Sequence, residues 1–307
     1  MIGECMVELS PSAGANTFCQ GFAGDVFNTG IYLKRCLKNR ANVSFLSVIG
    51  KDNLSEQFVE FMHEEQLDTS NLFRSTTEKL GLYLINVDGE GERSFTYWRE
   101  NSATKQLMKH INSSSNNKAF DDVDIAFVSG ISLAILPSHD LPAFWQFLEK
   151  LKQTNCRIVF DPNYRPALWL SPKHAKDAFE KAYSLSDVAL PGIDDHIELY
   201  DQANAEEVAS YLETLGVKEI IIKNGEHGVL ISVNGKRENI AITPVKNVID
   251  TTSAGDAFNG GYLSARLSSK SVADSVQFAA RVAGCVIQHK GAIVPIKAFN
   301  KEVNDLP

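Results

Sequence analysis

The densest group of residues able to do chemistry is the run Val248-Ile-Asp-Thr-Thr-Ser-Ala-Gly-Asp-Ala-Phe-Asn-Gly-Gly-Tyr-Leu263. Apolar residues lead into it, the small residues Ser253, Ala254 and Gly255 follow, and an amphipathic pattern starts there, so a loop feeds straight into a helix N-terminus. The first turn of a helix has backbone N–H groups without intrahelical partners and carries roughly +0.5 charge from the macrodipole. Such an end can hold a phosphoryl group without any side-chain cation, and small residues let the phosphate reach the backbone. Asp256 falls in that first turn, where a carboxylate also steadies the helix end by about 0.3–1 kcal/mol.

Two further segments carry chemistry-bearing residues. In Glu219-Ile-Ile-Ile-Lys-Asn-Gly-Glu-His-Gly228 a buried strand ends at Lys223 and a turn follows at Gly225 and Gly228. Lys223 and Gly225 therefore lie at a strand's carboxyl end, the edge at which open α/β sheets bind ligands, although a plain β-hairpin has the same spacing. In the second, Gly81–Val87 and Glu92–Arg99 read as two strands joined by the Gly-rich turn Asp88–Gly91. Period-2 geometry puts Arg93, Phe95, Tyr97 and Arg99 on one face of the second strand and Ser94, Thr96 and Trp98 on the other. An aromatic and cationic face on a flap suits a lid over an anionic or polyhydroxy ligand, and it equally suits packing on a main domain.

The elements that must position these residues alternate short apolar runs with helical patterns, the signature of βαβ units and a parallel sheet. Strands are expected at 44–49, 123–128, 158–160, 188–190 and 219–222, and helices at 26–37, 56–64, 141–152, 172–184, 205–215, 255–267 and 272–288. Ile111–Lys118 is the one low-complexity stretch, short enough for an exposed turn.

The chain has 307 residues, enough for one large domain or two small ones, with 30 Lys plus Arg against 38 Asp plus Glu, a net charge of −8. That balance gives no general attraction for nucleic acid or anionic membranes, so an anionic ligand must be captured locally. Five cysteines without CxxC spacing suggest neither a disulfide framework nor a zinc site and fit a reducing cytoplasm. No apolar run reaches the about 18 residues of a membrane span, and no export signal is visible. The seven histidines form no HxxxH or HExxH pattern.

Asp250-Thr-Thr-Ser-Ala-Gly-Asp256 with Gly260-Gly261 resembles the C-terminal signature of the ribokinase-like PfkB carbohydrate kinases. Ala23-Gly24-Asp25-Val-Phe-Asn28 is similar to the family's N-terminal Gly-Gly-x-x-x-Asn sugar-binding turn, with Ala23 in place of the first Gly. The resemblance spans essentially the whole chain. It narrows to the family's sugar-acid branch through Met1–Leu9, the flap residues Gly81–Tyr83 and Tyr97–Arg99, Ser129–Leu136 and Asp161–Trp169.

The resemblance implies a single kinase domain over 1–307, a three-layer α/β/α fold with a mainly parallel sheet, and a small β lid from about 9–22 and 80–101. It implies ATP-dependent phosphorylation, with Mg2+, of the 6-hydroxyl of 2-keto-3-deoxygluconate. Asp256 would be the general base and Ser253, Ala254 and Gly255 the phosphate-holding loop. Gly24, Asp25 and Asn28 would bind substrate hydroxyls, and Tyr83, Tyr97 and Arg99 would close over them. Arg165 would bridge substrate and nucleotide, and Asn163, Lys223, Gly225 and Gly228 would line the ATP site. Arg99 and Arg165 suit a sugar acid, since each offers a planar bidentate fork to a carboxylate; a fructokinase or ribokinase type would not need them. A non-catalytic sugar-acid sensor is disfavoured by the intact Asp250–Asp256 run.

Two departures stand out. The family's Pro-Asn-x-x-Glu near the metal aligns with Pro191-Gly-Ile-Asp-Asp195, leaving Asp195 for water-mediated Mg2+ binding or for helix capping. The chain also begins inside what would be the first core strand, which suggests a shortened N-terminus. A homo-oligomer paired through lid edges is left open.

Overall fold

The computed structural model describes residues 1–12, 16–87, 93–113, 120 and 122–303. The turn expected at Asp88–Gly91, the Arg93 side chain and most of Ile111–Lys118 lie outside the described residues.

A six-stranded sheet forms the centre, in the order Lys236–Ile240, Val229–Val233, Glu219–Lys223, Val188–Ala189, Arg157–Asp161, Ile125–Ser129. The last four strands run parallel and the first two are antiparallel additions. The hairpin joining those two turns at Asn234 and Gly235, both with positive φ of 50° and 78°, as a type I′ turn requires. Past Ile125–Ser129, Ile2 bridges to Val128 on one side and to Leu46 on the other, carrying the sheet into the parallel pair Ser47–Ile49 and Leu72–Arg74.

Alternation along the central strands divides the core in two. Ala126, Val128, Ile158, Phe160, Ala189, Ile220 and Ile222 pack with helices Leu141–Gln153, Pro172–Leu185, Ile193–Tyr200 and Ala205–Thr214. Phe127, Val159, Val188 and Ile221 pack on the opposite face with helices Asp25–Leu37, Asn53–Glu64, Ala254–Leu267 and Val272–Val286. Strands buried on both faces explain the continuous apolar runs in the sequence. The expected helices and strands are all present; helix Ile193–Tyr200, which periodicity did not flag, starts at the Asp194-Asp195 pair that read as a loop or a cap.

A separate four-stranded sheet, ordered Phe18–Ala23, Met6–Pro11, Gly81–Val87, Arg93–Trp98, stands off the central one. Its first strand begins at Met6, earlier than expected, because the chain passes directly from its bridge at Ile2 into that strand. Among the described residues no helix is long and apolar enough to cross a membrane.

Helix capping separates two groups. Asp52, Ser171, Asn204 and Ser271 each cap a helix through the side chain. Helices Asp25–Leu37 and Ala254–Leu267 have no side-chain cap, so no side chain of their own occupies their first-turn donors. These two helices pack closely because of Gly260: a Cβ there would fall 2.8 Å from the Thr29 carbonyl, the Leu33 amide nitrogen and the Tyr32 Cβ. Gly261 does the same on the other side, where a Cβ would lie 3.0 Å from Ala279 and Val282. Gly260→Ala is expected to lower stability by about 1–3 kcal/mol through forced separation of the two helices. Gly255→Ala, whose Cβ would meet nothing closer than Lys223 Nζ at 3.8 Å, should leave it unchanged. Urea midpoints of the two variants check the contrast.

Candidate active site

The carboxyl ends of Arg157–Asp161 and Glu219–Lys223 and the uncapped N-termini of Asp25–Leu37 and Ala254–Leu267 converge on one edge of the central sheet. Asn28, buried on the first of these helices, donates from Nδ2 to Asp256 Oδ2 at 2.9 Å, and its own Oδ1 accepts from Gly24 N at 3.3 Å. Asp25 Oδ2 accepts from Asn163 Nδ2 at 2.9 Å, which turns this carboxylate toward the strand end. Gly24 is required by contact: a Cβ would sit 2.3 Å from the Glu4 carbonyl oxygen.

Asp256 thus stands among other carboxylates. Burial first, then the facing Asp25 and more weakly Asp161, push its pKa up to about 7, against the hydrogen bond from Asn28. A carboxyl poised near neutrality is suited to accept a proton. Ser253, immediately before the helix, takes a left-handed φ of 65°, a strained setting for a non-glycine residue that swings the loop into the helix.

The floor beside this helix end is polar and buried. Lys223 Nζ donates to Asp161 Oδ2 and to Asn259 Oδ1, both at 3.1 Å, and Asn259 Nδ2 also donates to Asp161. Asp195 Oδ1 accepts from Tyr164 N at 2.7 Å and its Oδ2 from Gly192 N at 3.1 Å, so this carboxylate ties helix Ile193–Tyr200 to the loop after Asp161. Burial and then Asp161 raise the Asp195 pKa to about 6, opposed by Lys223.

The small sheet supplies the facing wall. Tyr83 and Tyr97 pair across strands with ring centroids 5.8 Å apart, and Phe95 packs against both. Arg99 lies over the Tyr97 ring at 5.8 Å and forms a buried ion pair with Glu4. The Tyr83 hydroxyl is bonded to Glu8. Arg165, exposed on the loop after Asp161, donates to the Tyr164 carbonyl at 2.8 Å, and its charge acts on both Tyr97 and Asp195. The flap and the strand-end loop therefore face one another.

Residues 1–298 match the pfkB family carbohydrate kinase profile. The chain belongs to the PfkB family of carbohydrate kinases. It is 36% identical over 296 residues to the 2-dehydro-3-deoxygluconokinase of Haemophilus influenzae, covering 95% of this chain and 94% of that protein. The protein of the same name from Escherichia coli K12 is 36% identical over 305 residues, covering 97% of both. In structure the chain is similar to a fructokinase of Xylella fastidiosa with bound ATP, with a TM-score of 0.83 at 21% identity, covering 97% of this chain and 93% of that one. The ribokinase-like α/β fold expected from the sequence is present.

The structure of this PfkB kinase brings Gly24, Asp25, Asn28, Asn163, Asp195, Lys223 and Asp256 to one strand-end region, with Tyr83, Tyr97 and Arg99 on the flap and Arg165 between. Gly225 and Gly228, with φ of 52° and 95°, shape the turn directly after Lys223. One point differs from the sequence reading: the Ala254 amide donates to the Thr251 carbonyl at 3.1 Å and is not a free donor, which shifts that role toward Gly255. Asn28 faces Asp256, and Asp25 faces Asn163.

Asp161, Asn259, Glu4 and Glu8 were missed. Glu4 and Glu8 share one face of the Met1–Leu9 run at period 2, and Asp161 ends an apolar strand. A charged residue in an otherwise buried strand was the available signal.

The raised pKa of Asp256 has a stability consequence. In the range from about 4 to about 7 the folded state binds a proton there that the unfolded chain, with an ordinary Asp at 3.8, has lost; the group's contribution to stability therefore falls as pH rises through that window. Asp256→Asn should match wild type near pH 4 and be more stable than it at pH 8, by about 4 kcal/mol. Denaturant melts at the two pH values measure this.

Proposed function

We propose that this kinase transfers the γ-phosphate of ATP to the 6-hydroxyl of 2-keto-3-deoxygluconate, giving 2-keto-3-deoxy-6-phosphogluconate. The observation that carries the chemistry is Asp256, held by Asn28 at the N-terminus of an uncapped helix with its pKa raised toward neutrality. The names of the Haemophilus and Escherichia relatives support the substrate. So does the flap, whose aromatic wall suits a sugar ring or chain, with Arg99 fixed there by Glu4 and the exposed Arg165 opposite suiting the substrate carboxylate.

In this reading Asp256 accepts the proton of the 6-hydroxyl as its oxygen attacks the γ-phosphorus, and the bond to the β–γ bridging oxygen breaks to release ADP. Gly255 and its neighbours in the first turn of Ala254–Leu267, with Ser253 before them, stabilise the phosphoryl oxygens through backbone donors and the helix dipole. Lys223 stands beside that turn, and Asp161 and Asn259 fix its ammonium. Asn163, Gly225 and Gly228 line the nucleotide side, and Arg165 reaches both substrates. Gly24, Asp25 and Asn28 form the sugar side, under a lid made by the four-stranded sheet.

Bound with ATP, Mg2+ would supply charge neutralisation on the phosphates, and Asp195 is the residue placed to hold it through water. Both Asp195 oxygens already accept a backbone N–H, a donor set that fits a hydrogen bond to a metal-bound water better than direct ligation. Five free thiols fit a cytoplasmic enzyme.

An ADP-release assay with 2-keto-3-deoxygluconate, 2-keto-3-deoxygalactonate and fructose tests the substrate; equal or better turnover of fructose would select the neutral-sugar reading. Asp256→Asn is expected to lower kcat by roughly 10²–10⁴ with the fold kept, and retention of about a third of wild-type kcat would remove the base assignment. Arg165→Ala should raise the KM for the sugar acid about 10- to 100-fold at saturating ATP, the worth of a charge-assisted hydrogen bond, and change fructose use far less.

A further inference from the structure

Away from the active site, the end of helix Val272–Val286 meets helix Ile296–Glu302, and three different metal-ligating side chains meet with them. Cys285, His289 and Glu302 each bring a ligand atom within 4.8 Å of the other two. We propose that Cys285, His289 and Glu302 form a site for a thiophilic divalent cation, zinc in the first place.

The donor set decides the metal. Thiolate, imidazole and carboxylate together suit zinc, whereas Mg2+ takes oxygen ligands alone. The imidazole is already oriented: Nδ1 lies 3.0 Å from the Cys285 carbonyl oxygen, to which it donates, so Nε2 carries the lone pair. That Nε2 faces Glu302 Oε1 at 3.7 Å, too long for a hydrogen bond and spaced as two ligands of one ion are. The sulfur is buried, His289 is half-buried and Glu302 is open to solvent, so an ion enters from the Glu302 side and keeps water in its remaining position.

Binding exchanges one proton for the metal: the S–H bond of Cys285 breaks, the Zn–S bond forms, and the proton leaves to solvent. Affinity therefore increases with pH. The turn between the ligands also carries the active-site loop, because the Ile249 and Asp250 amides both donate to the Ile287 carbonyl and Gly291 N donates to Asp250 Oδ2 at 2.7 Å. An ion at this place ties that turn to the C-terminal helix.

Tag-free, chelator-treated protein titrated with Zn2+ alone, without nucleotide, should bind one equivalent and gain roughly 5 °C in Tm at zinc about 100 times Kd. Co2+ in its place should show the thiolate-to-cobalt charge-transfer band. His289→Ala and Glu302→Gln, both at the rim, should weaken binding by more than the ~10–100-fold that an outer-shell loss costs, and Cys285→Ser should abolish the cobalt band. Absence of stoichiometric binding, cobalt binding without that band, or full affinity in His289→Ala would each overturn the site.

Discussion

The contact on which the active site depends is the close approach of helices Asp25–Leu37 and Ala254–Leu267. Their backbones come together because Gly260 presents no side chain to Thr29, Tyr32 and Leu33. The same approach places Asn28 against Asp256, two residues 228 positions apart in the chain. Neither helix is capped by a side chain, and both N-termini open toward the same strand ends. Packing deep in the core thus determines where the Asp256 carboxylate and the first-turn donors stand, and under the proposed function a sub-ångström displacement there would be felt at the phosphoryl group.

This arrangement gathers negative charge where anionic ligands must bind. Asp25, Asp161, Asp195 and Asp256 lie around one strand edge, with Lys223 and Arg165 as the nearby cations, in a protein whose net charge is −8. Under the proposed function the crowding has a use: burial, and then repulsion from neighbouring carboxylates, raise Asp195 and Asp256 toward neutrality, which lessens the charge facing an incoming phosphate. Helix-terminal amides then provide attraction at a fixed place, without a further cation whose charge would draw the base's pKa back down.

Much of this was legible in the sequence because it is local. The Asp250–Asp256 run, the strand ending at Lys223 and the flap face of Phe95, Tyr97 and Arg99 each rest on spacing along one segment, the Gly24–Asn28 turn rests on its resemblance to a family motif, and the structure puts each at the strand-end region or on the wall opposite. What was not legible is pairing across segments. No periodicity shows that Glu4 pairs with Arg99, Glu8 with Tyr83, or Asp161 with Lys223 and Asn259, because each partner is chosen by tertiary packing. Helix Ile193–Tyr200 escaped notice for a related reason: at eight residues it is too short to show a period, and its start is fixed by Asp195 accepting from Gly192.

The buried partners also change how the flap must be understood. Arg99 is not a free cation waiting for a carboxylate; Glu4 neutralises it, and the Tyr83 hydroxyl is likewise held by Glu8. Both glutamates belong to the N-terminal stretch that leaves the central sheet at Ile2 and enters the small sheet at Met6. Removing either partner of the Glu4–Arg99 pair would strand a buried charge at a cost of about 3–5 kcal/mol, which makes the pair a strong fixing point for the flap's position. A ligand carboxylate reaching Arg99 then meets a side chain whose orientation is already set, so less conformational freedom is lost on binding. Net positive charge on this side comes from exposed Arg165, on the opposite wall. Under the proposed function, then, Arg99 is a fixed element of the flap held by Glu4, and Arg165 is the exposed charge that would attract an anionic ligand.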